Sequence, residues 1–153
     1  MKAHLIAGLF LLAAPVLAQE DMVIDQTKLY VSDPAACQAL EKQGVDAWMD
    51  MDFLSLSFAS GIQSMEFHCN FYDIKSRPNT PLLFVDAVCE LPGELYADTM
   101  AIAPNDEDTI RLVSSADSTL ALLDGIEQDP ESPYPAGTTI YHRCDNLSEI
   151  PLD

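Results

Sequence analysis

The sequence predicts an α+β domain: a strongly curved, mostly antiparallel sheet or small open barrel of about six strands, with one N-terminal helix, a short late helix and two disulfides. Three observations predict it. Apolar and polar residues alternate over Leu54–Phe58 and Ser64–Phe71, the period of half-buried antiparallel strands. A helical stretch bounded by Asp33-Pro34 and Gly44 precedes them. Four cysteines, Cys37, Cys69, Cys89 and Cys144, are spread along the chain rather than clustered.

The chain has 153 residues and opens on MKAHLIAGLFLLAAPVLAQE. Lys2, the apolar run Leu5–Leu17 and the small residues ending at Ala18 have the layout of a secretory leader, expected to be cut between Ala18 and Gln19. The run is shorter than the roughly 20 apolar residues a spanning helix needs. No cysteine follows the cut to anchor a lipid, so residues 19–153 are expected to form one exported domain with no membrane anchor. A periplasmic or secreted bacterial protein is the expected class, and a monomer the expected state.

The formal net charge is −18. The basic residues beyond the leader, Lys28, Lys42, Lys75, Arg77, Arg111 and Arg143, are scattered, so no basic patch offers a surface to nucleic acid or anionic membrane. The acidity suits a cationic protein or envelope partner.

The helix is expected over 34–43. Asp33 can cap it, Pro34 fits its first turn, and Ala36, Cys37 and Leu40 share a face. Gly44 supplies the stop. VDAWMDMDF (45–53) carries no clear period. Ser60-Gly61 is the expected turn of a hairpin between the two alternating runs, and KSRPNTP is a loop. LLFVDAVCEL is apolar on both faces, as a central strand is, and Pro92-Gly93 ends it. Shorter strands follow at TMAIA and TIRLVSS, around the acidic turn PNDED. Asp117 or Ser118 is expected to cap a short helix that Gly125 stops. EQDPESPYPAG is expected to be a mobile loop or flap, and TTIYHRC a last strand. Met65, Phe67, Phe71 and Phe84 are expected in the core.

An even number of cysteines in an oxidising compartment implies two disulfides. Of the three pairings, Cys37–Cys69 with Cys89–Cys144 is favoured here over Cys69–Cys89 with Cys37–Cys144, because directly opposed strand cysteines often fit the bridge geometry poorly. No C-x-x-C supports a redox enzyme. His68 and Cys69 are adjacent, and adjacent strand residues point to opposite faces, so they do not grip one zinc ion. No metal or cofactor is expected.

Glu66, His68 and Asn70 recur every second residue and form one polar row, a candidate binding surface. Tyr134, stiffened between Pro133 and Pro135, is a candidate contact residue. The layout is similar in outline to small bacterial periplasmic inhibitors and binding modules, a likeness of architecture that transfers no residue. The expected function is a non-enzymatic binding or inhibitory module. The alternatives are a small envelope hydrolase using His68 or His142, and a cation-dependent module using the acidic groups Asp46, Asp50 and Asp52 or Asp106, Glu107 and Asp108. No G-x-S-x-G or Gly-rich phosphate loop favours the hydrolase.

Overall fold

A computed structural model describes residues 22–125 and 132–152. The expected leader and residues 127–131 of the expected flap lie outside these residues.

Among the described residues eight strands follow one another in a single antiparallel meander: β1 (Leu29–Val31), β2 (Ser55–Ser57), β3 (Gly61–Gln63), β4 (His68–Ser76), β5 (Leu83–Leu91), β6 (Glu94–Pro104), β7 (Thr109–Ser114) and β8 (Thr138–Cys144). β8 returns to β1 through Leu29↔Cys144, Tyr30↔Arg143 and Val31↔His142, and the sheet closes. The sheet is therefore a closed barrel of eight strands, not an open one of about six. Closure is confined to part of the longer strands: β3 pairs only His68 and Cys69 of β4, and β7 pairs only Met100–Pro104 of β6.

The two extra strands are β1 and β3. Each has three residues, too few to show a period. The alternating run Ser64–Phe71 is not one strand either, because its first half lies between β3 and β4. Ser64–Phe67 form a turn in which the Ser64 N–H donates to the Phe67 carbonyl at 2.7 Å, and β4 starts only at His68. Met65 is consequently 58% exposed rather than in the core. Phe84 also departs from expectation. It pairs with Lys75 and Ala101 on the outer face of β5, half-buried, with the Arg77 guanidinium 5.8 Å from its ring centre.

The interior is filled by alternate residues of the longer strands. Val85, Ala87 and Cys89 of β5, Met100 and Ile102 of β6, and Ile110 and Leu112 of β7 meet Tyr30, Leu56, Ile62, Cys69 and Tyr141 in one cluster. Phe67 and Phe71 pack against it, as expected. A second cluster lies outside the short-stranded wall. There α1 (Ala35–Gln43) and the single-turn α2 (Ala47–Asp50) cover Leu29 and Val31, so β1 is buried on both faces.

α1 ends at Gln43 as expected and starts one residue later than expected, with Pro34 at its cap. The Asp33 carboxylate accepts the Ala35 N–H at 2.9 Å, and Gly44 closes the helix at φ +56°. A side chain at Gly44 would be strained by that φ and would meet the Pro151 carbonyl 2.7 Å from its Cβ. Gly44→Ala is expected to cost about 1–3 kcal/mol, read as a lowered Tm with unchanged circular dichroism.

The late helix, α3 (Ser115–Leu123), starts earlier than expected. Its cap is Ser114, whose Oγ accepts the Asp117 N–H at 3.0 Å, so neither Asp117 nor Ser118 has that role. The bridges are Cys37–Cys144 and Cys69–Cys89, not the favoured pairing. Cys69 and Cys89 are directly opposed in the β4–β5 ladder, Cα atoms 3.9 Å apart, with both side chains in the barrel interior. Cys144 points outward beside Leu29, where only α1 can supply a partner. Among the described residues no helix is long and apolar enough to cross a membrane.

Candidate functional site

The segment that shows no period, VDAWMDMDF, builds one wall of a surface cleft. Its Ala47 and Phe53 are buried against α1 and β1, which anchors the segment at both ends. The Trp48 ring stacks on Phe53, centroids 6.0 Å apart and planes 30° apart. Between these anchors the residues that remain exposed are Met49, Asp50 and Asp52, with Met51 half-buried. The β3–β4 turn supplies the opposite wall through Ser64, Met65 and Glu66. Together they enclose an open cleft of about 400 Å³, within the size range of ligand sites. A second depression of about 570 Å³ shares Met49 and Asp50 and adds Glu41, Asp46 and Lys42. The surface thus joins apolar thioethers and an indole to a mostly acidic rim.

A contrasting polar cluster sits at one end of the barrel interior. Asp98, on the inward face of β6 and 5% exposed, accepts hydrogen bonds from Ser114 Oγ at 2.6 Å, Ser115 Oγ at 2.7 Å and the Ala116 N–H at 3.0 Å. Asp117, Tyr96 and Tyr141 border the same small cavity. Asp117 keeps much of its surface in water, yet partial desolvation and then the neighbouring Asp98 push its carboxyl pKa up. Burial, and to a lesser degree Asp117, pushes the Tyr141 phenol up as well. Paired carboxyls and phenols could move protons, but the cavity measures about 30 Å³, room for a single water and not for a substrate. The cluster fixes the start of α3 to the barrel.

The expected row does not stay together. Glu66 lies in the turn and lines the cleft, whereas His68 and Asn70 face outward on β4. His68 Nε2 is 3.2 Å from Glu90 Oε2, its cross-strand neighbour, and both side chains are about half-exposed. His142 lies on the outer face of β8 opposite Val31 and Thr109, a different wall from His68. Tyr134 is half-buried, and its hydroxyl donates to Asn105 Oδ1 at 2.7 Å, which ties it to the β6–β7 turn.

In that turn the Asp106 carboxylate accepts the Asp108 and Thr109 N–H groups at 3.0 and 2.9 Å. These bonds, with that from the Thr109 side chain first in weight, hold its pKa below the ordinary value. Asp108 pairs with Arg143 at 2.7 Å, and Arg143 also reaches Asp145 and the Glu107 carbonyl. The acids of PNDED thus serve the turn and the seam. Among the described residues no group of three or more His, Cys, Asp or Glu is placed to hold a metal.

Sequence reasoning points to Glu66, and to Trp48 as a contact residue, but misses Met49, Met51 and Met65. Met49 and Met51 stand two apart in an ambiguous segment, and Met65 reads as a core residue of a strand. The available signal was the density of methionine and aspartate in WMDMD. No protein-family model matches the chain, and no curated protein or solved structure matches it.

Proposed function

We propose that this chain is an exported, non-enzymatic binding domain that receives a cationic, partly apolar segment of a protein partner in the Trp48–Met65 cleft. The observation that carries the reading is the composition of that cleft: Trp48, Met49, Met51 and Met65 beside Asp50, Asp52 and Glu66. Exposed methionines adapt to different apolar side chains, because the thioether chain is unbranched and polarisable. The carboxylates attract lysine and arginine, speed encounter and orient the docked segment. A filled barrel interior supports surface binding over carriage of a ligand inside, since Tyr30, Leu56, Val85, Ile102 and Tyr141 are all essentially fully buried. Both disulfides support an oxidising compartment, periplasmic or external.

Trp48 is the sole tryptophan, so its fluorescence reports on the cleft directly. A tryptophan-free amphipathic peptide of lysine and leucine at helical spacing is expected to give a saturable change. Combining Asp50→Asn, Asp52→Asn and Glu66→Gln should weaken binding about ten-fold or more and flatten its salt dependence. Glu94→Gln with Glu107→Gln, which lie outside the cleft, should leave it within about two-fold. Equal weakening by both sets would mean diffuse attraction to an acidic protein and would count against the cleft.

A further inference from the structure

We propose that this cleft also forms a thioether site for a soft monovalent cation of the Cu(I) or Ag(I) class, with Met49, Met51 and Met65 as ligands. The proposal shares the cleft with the docking reading and does not depend on it. The chain has six methionines. Met100 is a core residue, 2% exposed and packed in the barrel, a common role for this side chain. Met49, Met51 and Met65 are different. They come from two segments separated by β2 and β3, yet line one open cleft. Met49 is 74% exposed and Met65 58%, so packing does not account for these two, while Met51 packs partly against the second core cluster and still lines the cleft.

The chemistry of the cleft fits a soft cation better than a hard one. A thioether sulfur is neutral, polarisable and free of protonation at any ordinary pH. Like thiolate it is a soft ligand that selects Cu(I), though a weaker one, and it serves poorly for magnesium or calcium, which take oxygen. All four cysteines are bridged, so no thiolate among the described residues competes for such an ion. Neutral ligands leave the charge of the cation uncompensated. Asp50, Asp52 and Glu66 line the same cleft and supply negative charge beside the sulfurs without having to ligate. The Trp48 ring is a further wall of the cleft, and an indole face attracts a cation.

The test uses the full exported chain with its disulfides intact, in nitrate buffer free of chloride and of thiol reductants. Ag(I), which is stable in air, is titrated while Trp48 fluorescence is followed. The expected result is a saturable change near about one equivalent, with affinity falling about 100-fold or more when Met49, Met51 and Met65 are all leucine. Met22→Leu, exposed but outside the cleft, should leave it unchanged. The double variant Met49→Leu with Met65→Leu alters only exposed side chains, so an intact Tm with weakened Ag(I) binding excludes misfolding as the cause. Absence of a saturable response, equal affinity in the triple variant, or displacement of Ag(I) by excess calcium would overturn the proposal. Leucine keeps the apolar lining and all three carboxylates, so the lysine–leucine peptide tested on the triple variant bears on docking alone.

Discussion

Replacing Cys37 and Cys144 together with alanine is expected to lower the free energy of unfolding by about 5 kcal/mol, a large share of the roughly 5–15 kcal/mol typical of a domain. The bridge closes a loop of 107 residues, nearly the whole described chain. Its loss returns that loop's entropy to the unfolded state, an effect that grows with the logarithm of loop length. The native state has reason to need the restraint. The β1–β8 seam that closes the barrel consists of three residue pairs, and Cys144 is in the last of them. On its outer side the same cysteine packs with Leu29, Leu40 and Ala47, so one bond joins the seam to the helical cover. The bridge between Cys69 and Cys89 spans only 20 residues within a β4–β5 ladder that already pairs along the length of both strands, with one register shift between Phe71 and Asp73. Its removal should cost about 3 kcal/mol. Urea unfolding of the two double variants, followed by Trp48 fluorescence and by circular dichroism, checks the order. An equal cost for both pairs, or a larger one for Cys69 and Cys89, would show that loop length does not govern these bridges.

The antiparallel character, the helix over 34–43 and the number of disulfides were legible because each has a local cause. Asp33, Pro34 and Gly44 mark α1 by backbone chemistry that acts within a few residues. Leu83–Leu91 reads as a buried strand because its neighbours on both sides are strands, and Pro92-Gly93 makes the two-residue turn into β6. What escaped depends on distant partners. Leu29-Tyr30-Val31 is a strand only because β2 and β8 flank it, and no three-residue stretch can announce that. The pairing of Cys144 follows from its outward direction on β8, which is set by the register Leu29↔Cys144 across the closure. The favoured pairing weighed the opposition of Cys69 and Cys89 as an obstacle, although these two face each other inside the barrel.

The cleft was illegible for a related reason. Alternation over 64–71 puts Met65 with Phe67, Cys69 and Phe71 on an inward face. The turn bond from the Ser64 N–H to the Phe67 carbonyl interrupts the strand and releases Met65 and Glu66 to the surface. Only with that turn in place do the methionines of two distant segments meet. His68 and Asn70 remain on the barrel wall with Glu90 and Val88 as cross-strand neighbours. Half of the polar row is thereby separated from the half that borders the cleft.

Asp98→Ala is expected to cost about 3 kcal/mol, reckoned as about 1 kcal/mol net for each of three hydrogen bonds. Its carboxyl receives two hydroxyls and the Ala116 N–H. That N–H belongs to the first turn of α3, whose donors have no partner within the helix. The hydroxyls of Ser114 and Ser115 can rotate toward other acceptors, but the amide cannot. Ser114 is also the helix cap, so a disturbance at Asp98 reaches the Asp117 N–H as well. Asp98→Asn keeps one carbonyl acceptor and should cost less than the alanine variant. Because the Asp98 charge helps raise the Asp117 pKa, removing it should move the Asp117 titration downward, measurable by carbon-detected NMR of the side-chain carboxyl. Chemical denaturation gives the stability and the titration gives the electrostatic link. A small loss of stability with an unmoved Asp117 titration would mean that this polar cluster does not hold α3 against the barrel. A large loss with the expected downward shift would identify Asp98 as the tie between them and the cluster as structural.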